Sequence, residues 1–356
     1  NNIQKPINLL SKKLNMSLKN LNATKIPNTL KVALSNKKIQ SLFNKFEKNF
    51  KIKEGFIVGV SGGPDSLALA FLTKIYSIKY KLNSRYFIVD HKLRKSSTNE
   101  AKTVKKILNN FHIKTEILTW YGAKPSKNIQ SLARKKRYDL LLSKCRQLNI
   151  SNLVVGHHLD DLYENFFIRM LRGSGLKGLI SLDKKSKIKN KILLRPLISQ
   201  KKEDLVFVAQ NVFNFYVKDP SNQDEKYQRI IIRNLIKELK KKGLNKKKFI
   251  NKIKNLKSSN EVVNFCVNQN LRKNSIFIEK KEKIILKKEY FNQPHEVIFR
   301  SFSESIMLVG KKYYPVRGKK LAKIISNIKN NRLFKLTIGG CIIQKVNQTI
   351  IISKEH

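Results

Sequence analysis

Residues 55–70, GFIVGVSGGPDSLALA, join an apolar run to a helix-forming run through the turn Ser61-Gly62-Gly63-Pro64-Asp65-Ser66. Strand, tight turn and helix in that order aim backbone N–H groups and a helix N-terminus at one point, which is an anion site. Phe56, Ile57, Val58 and Val60 supply the strand and Leu67 to Tyr80 the helix. Gly62 and Gly63 can take positive φ, and Pro64 suits the first helical turn, where its missing N–H has no partner to lose. Ser61 and Ser66 add hydroxyl donors. The segment reads as a phosphate cradle, and it is not of the Walker type, because no Gly-Lys-Ser/Thr follows. Where that loop has a lysine, this one has Asp65. A carboxylate facing a polyphosphate calls for Mg2+ between them, since magnesium sites combine one or two carboxylates with substrate phosphates. Taken alone, the same residues also fit an ordinary helix cap behind a Gly-Gly turn.

The pattern then repeats. Tyr86–Val89 reads as a buried strand ending at Asp90-His91, and residues 98–111 as a helix with Ala101, Val104, Ile107 and Leu108 on its apolar face. Residues 114–120 read as a strand, 128–148 as a helix, and 152–155 as a strand opening onto Gly156-His157-His158, with helix to about Leu171. Such alternation predicts an α/β fold with a doubly wound, mostly parallel sheet, whose ligand site lies at the carboxyl ends of the strands. Ser61–Ser66, Asp90-His91 and His157–Asp161 all fall just after strands. Residues 1–35 read as a basic extension, 36–225 as the catalytic domain and 226–274 as a helical, lysine-rich segment. Residues 275–356 read as a small α+β domain with a turn near 346–348. Lys240–Lys242 and Lys246–Lys248 read as charge runs in loops.

Composition narrows the partners. The chain has 356 residues and a net charge of +51, which points to a polyanion. With 61 Lys against 14 Arg, a general lysine bias accounts for part of that charge. All nine Asp lie between Asp65 and Asp224, and eight of the Arg lie between Arg134 and Arg233. Arginine in a chain that otherwise uses lysine marks places needing a planar, bidentate fork for phosphate or carboxylate. Cys145, Cys266 and Cys341 have neither paired nor metal-like spacing, so a disulfide framework and a zinc site are not indicated. No apolar run has membrane-spanning length and no signal peptide is visible, so a cytoplasmic protein is expected.

Three further clusters carry chemistry. Asp160, Asp161 and Glu164 sit within about one helical turn, and Asp160 and Glu164 share a face. A helix N-terminus favours acidic residues but explains only one or two of them. His157 and His158 are adjacent and not four apart, which does not fit a zinc pair. Arg134 and Arg137 lie three apart on one helical face. Arg169 and Arg172 precede a second flexible turn, Arg172-Gly-Ser-Gly175. Arg229 and Arg233 follow the turn residues Lys218-Asp219-Pro220-Ser221-Asn222.

The hexapeptide at 61–66 resembles the loop of the N-type ATP pyrophosphatases, which split ATP between the α and β phosphates and activate a substrate by adenylation. SGGPDS (61–66), VDHKLR (89–94), ARKKRYDLL (133–141), GHHLDDLYEN (156–165), RMLRGSGLKGL (169–179), LLRPLI (193–198) and DPSNQDEKYQRIIIRN (219–234), in that order, resemble the bacterial tRNA(Ile)-lysidine synthetases. These pieces span about half the chain. Tyr163-Glu164-Asn165 departs from the Glu-Thr pair expected there, and in residues 275–356 only Gly339-Gly340-Cys341 is suggestive.

The resemblance implies a ligase acting on the wobble cytidine of an isoleucine tRNA with a CAU anticodon. The cytosine C2 oxygen attacks the α-phosphate of ATP, and the ε-amine of free lysine then displaces AMP, giving lysidine. Reading changes from AUG to AUA, and identity from Met to Ile. The ATP site would comprise Ser61, Gly62, Gly63, Pro64, Asp65, Ser66, Asp90, His91, Arg134, Arg137, Gly156 and His157, with Asp65 on Mg2+. Asp160, Asp161 and Glu164 would hold lysine, and Arg169, Arg172, Arg229 and Arg233 would contact phosphate or tRNA. Asp65, Arg137, Asp160 and Asp161 would be catalytic, the division between binding and proton transfer staying open. A homodimer is also left open. Rival readings are a tRNA thiolation enzyme, which would want closely spaced cysteines, and a GMP- or argininosuccinate-synthetase-like enzyme, which would not need the basic C-terminal half. A non-catalytic RNA-binding protein would not need an intact loop and acidic cluster.

Overall fold

The computed structural model describes residues 26–94, 96–122, 129–217, 228–312, 315–330 and 335–355. The chain divides into two compact units, Asn1–Gly243 and Leu244–His356.

The first unit is built on a six-stranded sheet of β1 (Phe56–Val60), β2 (Ser84–Asp90), β3 (Thr115–Thr119), β4 (Asn152–Val154), β5 (Lys185–Ile188) and β6 (Lys191–Leu194). Its order is β3-β2-β1-β4-β6-β5, all parallel except the β5–β6 hairpin. Nine helices among the described residues belong to this unit: α1 (Asn28–Ser35), α2 (Lys37–Asn49), α3 (Pro64–Lys79), α4 (Ser97–Asn110), α5 (Ile129–Gln147), α6 (Leu159–Leu171), α7 (Leu176–Leu179), α8 (Lys202–Phe213) and α9 (Gln228–Lys241). The period-two alternation of β1 sorts them into layers. Phe56, Val58 and Val60 face a core shared with α1 to α4 and α8. Ile57 faces the opposite core with Leu141 and Leu142 of α5. α3 is apolar through its middle because that stretch is buried on all sides, with Leu67 to Phe71 fully covered.

Several expectations are corrected. Residues 26–35 are not part of an extension: α1 buries Leu30 and Leu34 in the main core, an i, i+4 apolar pair hidden among lysines and asparagines. Residues 1–25 lie outside the described residues. The alternation read from sequence stops at Leu171 and omits the β5–β6 hairpin, whose two-residue turn places Lys189 and Asn190 at φ 45° and 62°. The lysine runs are not in loops: Lys240 and Lys241 end α9, and Lys246–Lys248 open the next helix.

The second unit has α10 (Lys246–Asn274), β7 (Ser275–Ile278), β8 (Lys283–Leu286), α11 (His295–Val309), α12 (Gly318–Lys329), β9 (Lys335–Ile338), β10 (Cys341–Val346) and β11 (Thr349–Lys354). Its antiparallel sheet, ordered β7-β8-β11-β10-β9, packs Leu286, Ile343 and Ile352 against Ile298 and Phe302 of α11 and Leu321 of α12. The expected turn falls between Val346 and Thr349, which pair directly. The helical segment read from sequence as one piece is shared: α9 lies in the first unit and α10 in the second.

Candidate active site

The sheet order reverses at β1. The chain moves outward through β2 and β3, then returns to lay β4 on the other side, so the segments leaving β1 and β4 diverge and open a crevice at their carboxyl ends. Ser61–Ser66 follows β1, and Gly156–His158 follows β4. The two touch: a Cβ at Gly156 would lie 3.1 Å from the Asp65 carbonyl oxygen and 3.3 Å from Ser66 Cα. Gly62 sits at φ +81°, and a Cβ there would come within 2.7 Å of Val104 Cγ2. Inside the loop the Ser61 N–H donates to Ser66 Oγ at 3.1 Å, and Ser66 Oγ donates to the Gly63 carbonyl at 2.9 Å. The loop thus closes on itself around the start of α3, where Gly63 is the N-cap and Pro64 the first helical residue.

The crevice encloses a cavity of about 220 Å3. Ser61, Asp65 and Ser66 form one wall, Arg134 and Arg137 of α5 another, and Gly156, His157 and Asp161 a third, over an apolar floor that includes Phe87 and Leu141. A larger hollow of about 700 Å3 between α1 and α8 has neutral walls, Asn28, Val32 and Asn211 among them. It offers nothing to a polyphosphate.

Electrostatics divides the cavity into a cationic and an anionic side. Arg134 Nη2 lies 3.5 Å from His157 Nε2. A guanidinium only donates, so in this contact Nε2 can serve only as acceptor. Burial, then the charges of Arg134, Arg195 and Arg137, hold the His157 pKa well below the usual histidine value. Burial and then Arg137 lower that of His91. Across the cavity, His158 caps α6: its N–H donates to Asp161 Oδ2 at 2.8 Å, and its Nδ1 accepts from the Asp160 N–H at 3.2 Å. That leaves Nε2 facing two carboxylates, Asp65 Oδ2 at 3.4 Å and Asp161 Oδ2 at 3.6 Å. Burial would depress the His158 pKa. The hydrogen bond to Asp65 and the charges of Asp161, Asp65 and Asp160 outweigh it and raise the value. Asp65 Oδ1 is buried and has no hydrogen-bond partner.

The acidic trio separates. Asp161 lines the cavity. Asp160 and Glu164, four apart on a helix, face α9, where Lys240 Nζ lies 3.0 Å from Asp160 Oδ1 and Arg233 Nε donates to Glu164 Oε1 at 2.6 Å. Asp90 accepts from the Lys92 N–H and the Ser97 and Thr98 hydroxyls. Against the opposing effect of burial, those bonds lower its pKa, and they make it the staple of the loop after β2. Arg169 and Arg172 are exposed at the end of α6 and do not line the cavity. Residues 218–227 and the Arg229 side chain lie outside the described residues. Two residues escaped the sequence reading. His158 carried a signal in the spacing to Asp161, which is that of a capping box. Arg195, buried and donating to the Asp183 carbonyl at 2.7 Å, carried only its being an arginine. Among the described residues, no group of three His, Cys, Asp or Glu side chains could hold a metal by itself, nor is any helix long and apolar enough to cross a membrane.

The PP-loop domain family matches residues 33–239. The tRNA(Ile)-lysidine synthase of Orientia tsutsugamushi (strain Boryong) is 34% identical over 328 residues, covering 88% of this chain and 71% of that protein. The enzyme of the same name from the Wolbachia of Brugia malayi is 31% identical, covering 89% and 74%. Among solved structures, the U34-tRNA thiolase NcsA from Methanococcus maripaludis superposes with a TM-score of 0.55 at 18% identity, covering 63% of this chain and 79% of that one. That likeness concerns the fold alone. The Ser61–Ser66 turn, paired arginines and acidic helix start therefore occur together at the switch point of a sheet whose sequence runs with these enzymes for most of its length, and the chain belongs to the tRNA(Ile)-lysidine synthase family of PP-loop proteins.

Proposed function

We propose that the chain uses ATP to convert the wobble cytidine of tRNA(Ile) with a CAU anticodon into lysidine. The observation that carries this is the cavity itself, in which an anion-binding loop, two arginines and the carboxylate of Asp161 meet at the switch point. In the first step the cytosine C2 oxygen attacks the α-phosphate, and the bond to the β-phosphate breaks. The Ser61–Ser66 loop holds the departing pyrophosphate through backbone N–H groups and hydroxyls. Arg134 and Arg137 offset the charge that builds up as that bond lengthens. The Asp65 carboxylate, with an oxygen lacking a hydrogen-bond partner beside the loop, fits a Mg2+ ion shared with substrate phosphates. When bound, the ion would supply charge neutralisation there.

In the second step the ε-amine of free lysine attacks C2, and the C2–O bond breaks to release AMP. The amine must shed a proton first, since its ordinary pKa is about 10.4. Asp161, at the cavity wall, is placed to hold the ammonium and accept that proton. The charge of +51 supports tRNA binding along basic surfaces of both units, and the reaction belongs in the cytoplasm with its tRNA. Asp161→Asn tests the assignment: tRNA-driven ATP–pyrophosphate exchange persists and the adenylated cytidine accumulates. Lysine consumption at the normal rate in that variant would place the lysine pocket elsewhere.

A further inference from the structure

Lys240 of α9 places its ammonium 3.0 Å from Asp160 Oδ1 and 5.3 Å from the centroid of the Tyr163 ring. A carboxylate beside an aromatic face is a cation-binding pair, the ring contributing through its negative π surface. We propose that Asp160 and the face of Tyr163 form an alkylammonium subsite for the substrate lysine, and that Lys240 is its built-in competitor. This rests on the reading above, in which lysine is the second substrate. Lysine carries two ammonium groups, and only the one that reacts has to lose its charge. The other stays cationic and needs a counter-ion close to, but outside, the reacting cavity. Asp160 adjoins Asp161, which lines that cavity, and itself faces outward.

The geometry suits exchange of one ammonium for another. Tyr163 is 1% exposed, so its ring is a fixed wall. The side chains of Asp160 and Lys240 are 25% and 41% exposed, so Lys240 can swing into water and leave the Tyr163 ring face to the substrate ammonium. α9 has other anchors: Ile232 and Ile236 are buried, and Arg233 holds Glu164. Lys240 is therefore not needed to dock its own helix. Tyr163 follows Asp160 by three residues, one helical turn along, where its ring flanks the ammonium.

A tethered competitor lowers apparent affinity by the fraction of time the site is free, so nine-tenths occupancy by Lys240 would raise the lysine KM about tenfold. The test is the lysine KM of the full chain with ATP and tRNA. Melting temperature reports the fold, and ATP–pyrophosphate exchange without lysine reports the first step. Lys240→Met is expected to lower the lysine KM several-fold while the first step keeps its rate. Tyr163→Leu should raise it several-fold, and Tyr163→Phe, which keeps the ring, should not. If Lys240→Met melts early, Lys240→Gln takes its place with the same expectation. An unchanged or higher lysine KM in a folded Lys240 variant would make the contact a strut and overturn the subsite. A wild-type chain that adenylates tRNA yet takes up no lysine would instead overturn the reading on which the subsite rests.

Discussion

Gly62→Ala should disable the phosphate loop while Gly63→Ala, one residue away, leaves the fold nearly intact. At Gly62 the backbone sits at φ +81°, which costs a residue with a Cβ roughly 1–2 kcal/mol. The added methyl would stand 2.7 Å from Val104 Cγ2 and 3.0 Å from Val217 Cγ2. Val104 is 1% exposed in the core of α4 and has nowhere to go, so overpacking adds about 1–3 kcal/mol. The sum, roughly 2–5 kcal/mol, corresponds to a melting-temperature drop of about 5–15 °C for a unit of this size. Relief by backbone shift would unshape the loop proposed to hold the pyrophosphate. At Gly63 φ is −70° and the nearest atom to a Cβ is Ser61 Oγ at 3.9 Å, so only the cap preference changes, about 1 kcal/mol or less. Thermal melts and tRNA-dependent ATP–pyrophosphate exchange on both variants read this out. Equal melting temperatures and equal exchange rates for the two would refute the steric account of the loop.

Asp65→Asn and Arg137→Ala should each slow adenylation by a hundredfold or more, with tRNA affinity nearly unchanged. Exchange and filter-binding assays measure the two quantities, and near-normal adenylation in either would remove that residue from the phosphate site. Stability should fall as pH drops through the ordinary histidine range, because His157 and His91, with lowered pKa values, take up protons on unfolding that the folded chain excludes. The slope is at most about 1.4 kcal/mol per pH unit for each. His158, with a raised pKa, acts in the opposite sense: its contribution is present below the unfolded value and lost as pH rises through the folded one. His157→Gln should therefore flatten the acid limb in urea titrations between pH 7 and 5, and an unaltered limb would contradict a buried neutral His157. Lys247→Gln and Lys248→Gln, both exposed on the first turn of α10, should each reduce the salt dependence of tRNA binding by about one unit of slope. An unchanged slope would exclude this helix start from the tRNA surface.

Local signals with a steric cause were legible in the sequence. The strand, Gly-Gly turn and Pro-initiated helix at 56–79 could hardly fold otherwise, and the alternation that follows fixed β2, β3 and β4 to within a residue or two. What stayed hidden depends on tertiary partners. Asp160, Asp161 and Glu164 form one cluster in sequence, but a rotation of about 100° per residue sends Asp161 to the cavity and the other two to α9. The distant α9 then supplies Arg233 and Lys240, a pairing that periodicity cannot reveal. Asp90 looked like a ligand contact because it ends a strand, yet three local donors engage it. α1 was missed because two leucines are too few to stand out in a lysine-rich stretch.

The most direct test incubates the full chain with ATP, Mg2+, lysine and tRNA(Ile) carrying a CAU anticodon, then digests the tRNA and weighs the wobble nucleoside. The expected product is a cytidine heavier by one lysyl residue, formed with one AMP and one pyrophosphate per tRNA, and none when lysine is omitted. An unmodified cytidine beside intact ATP, or a modification that appears without lysine, would contradict the proposed reaction.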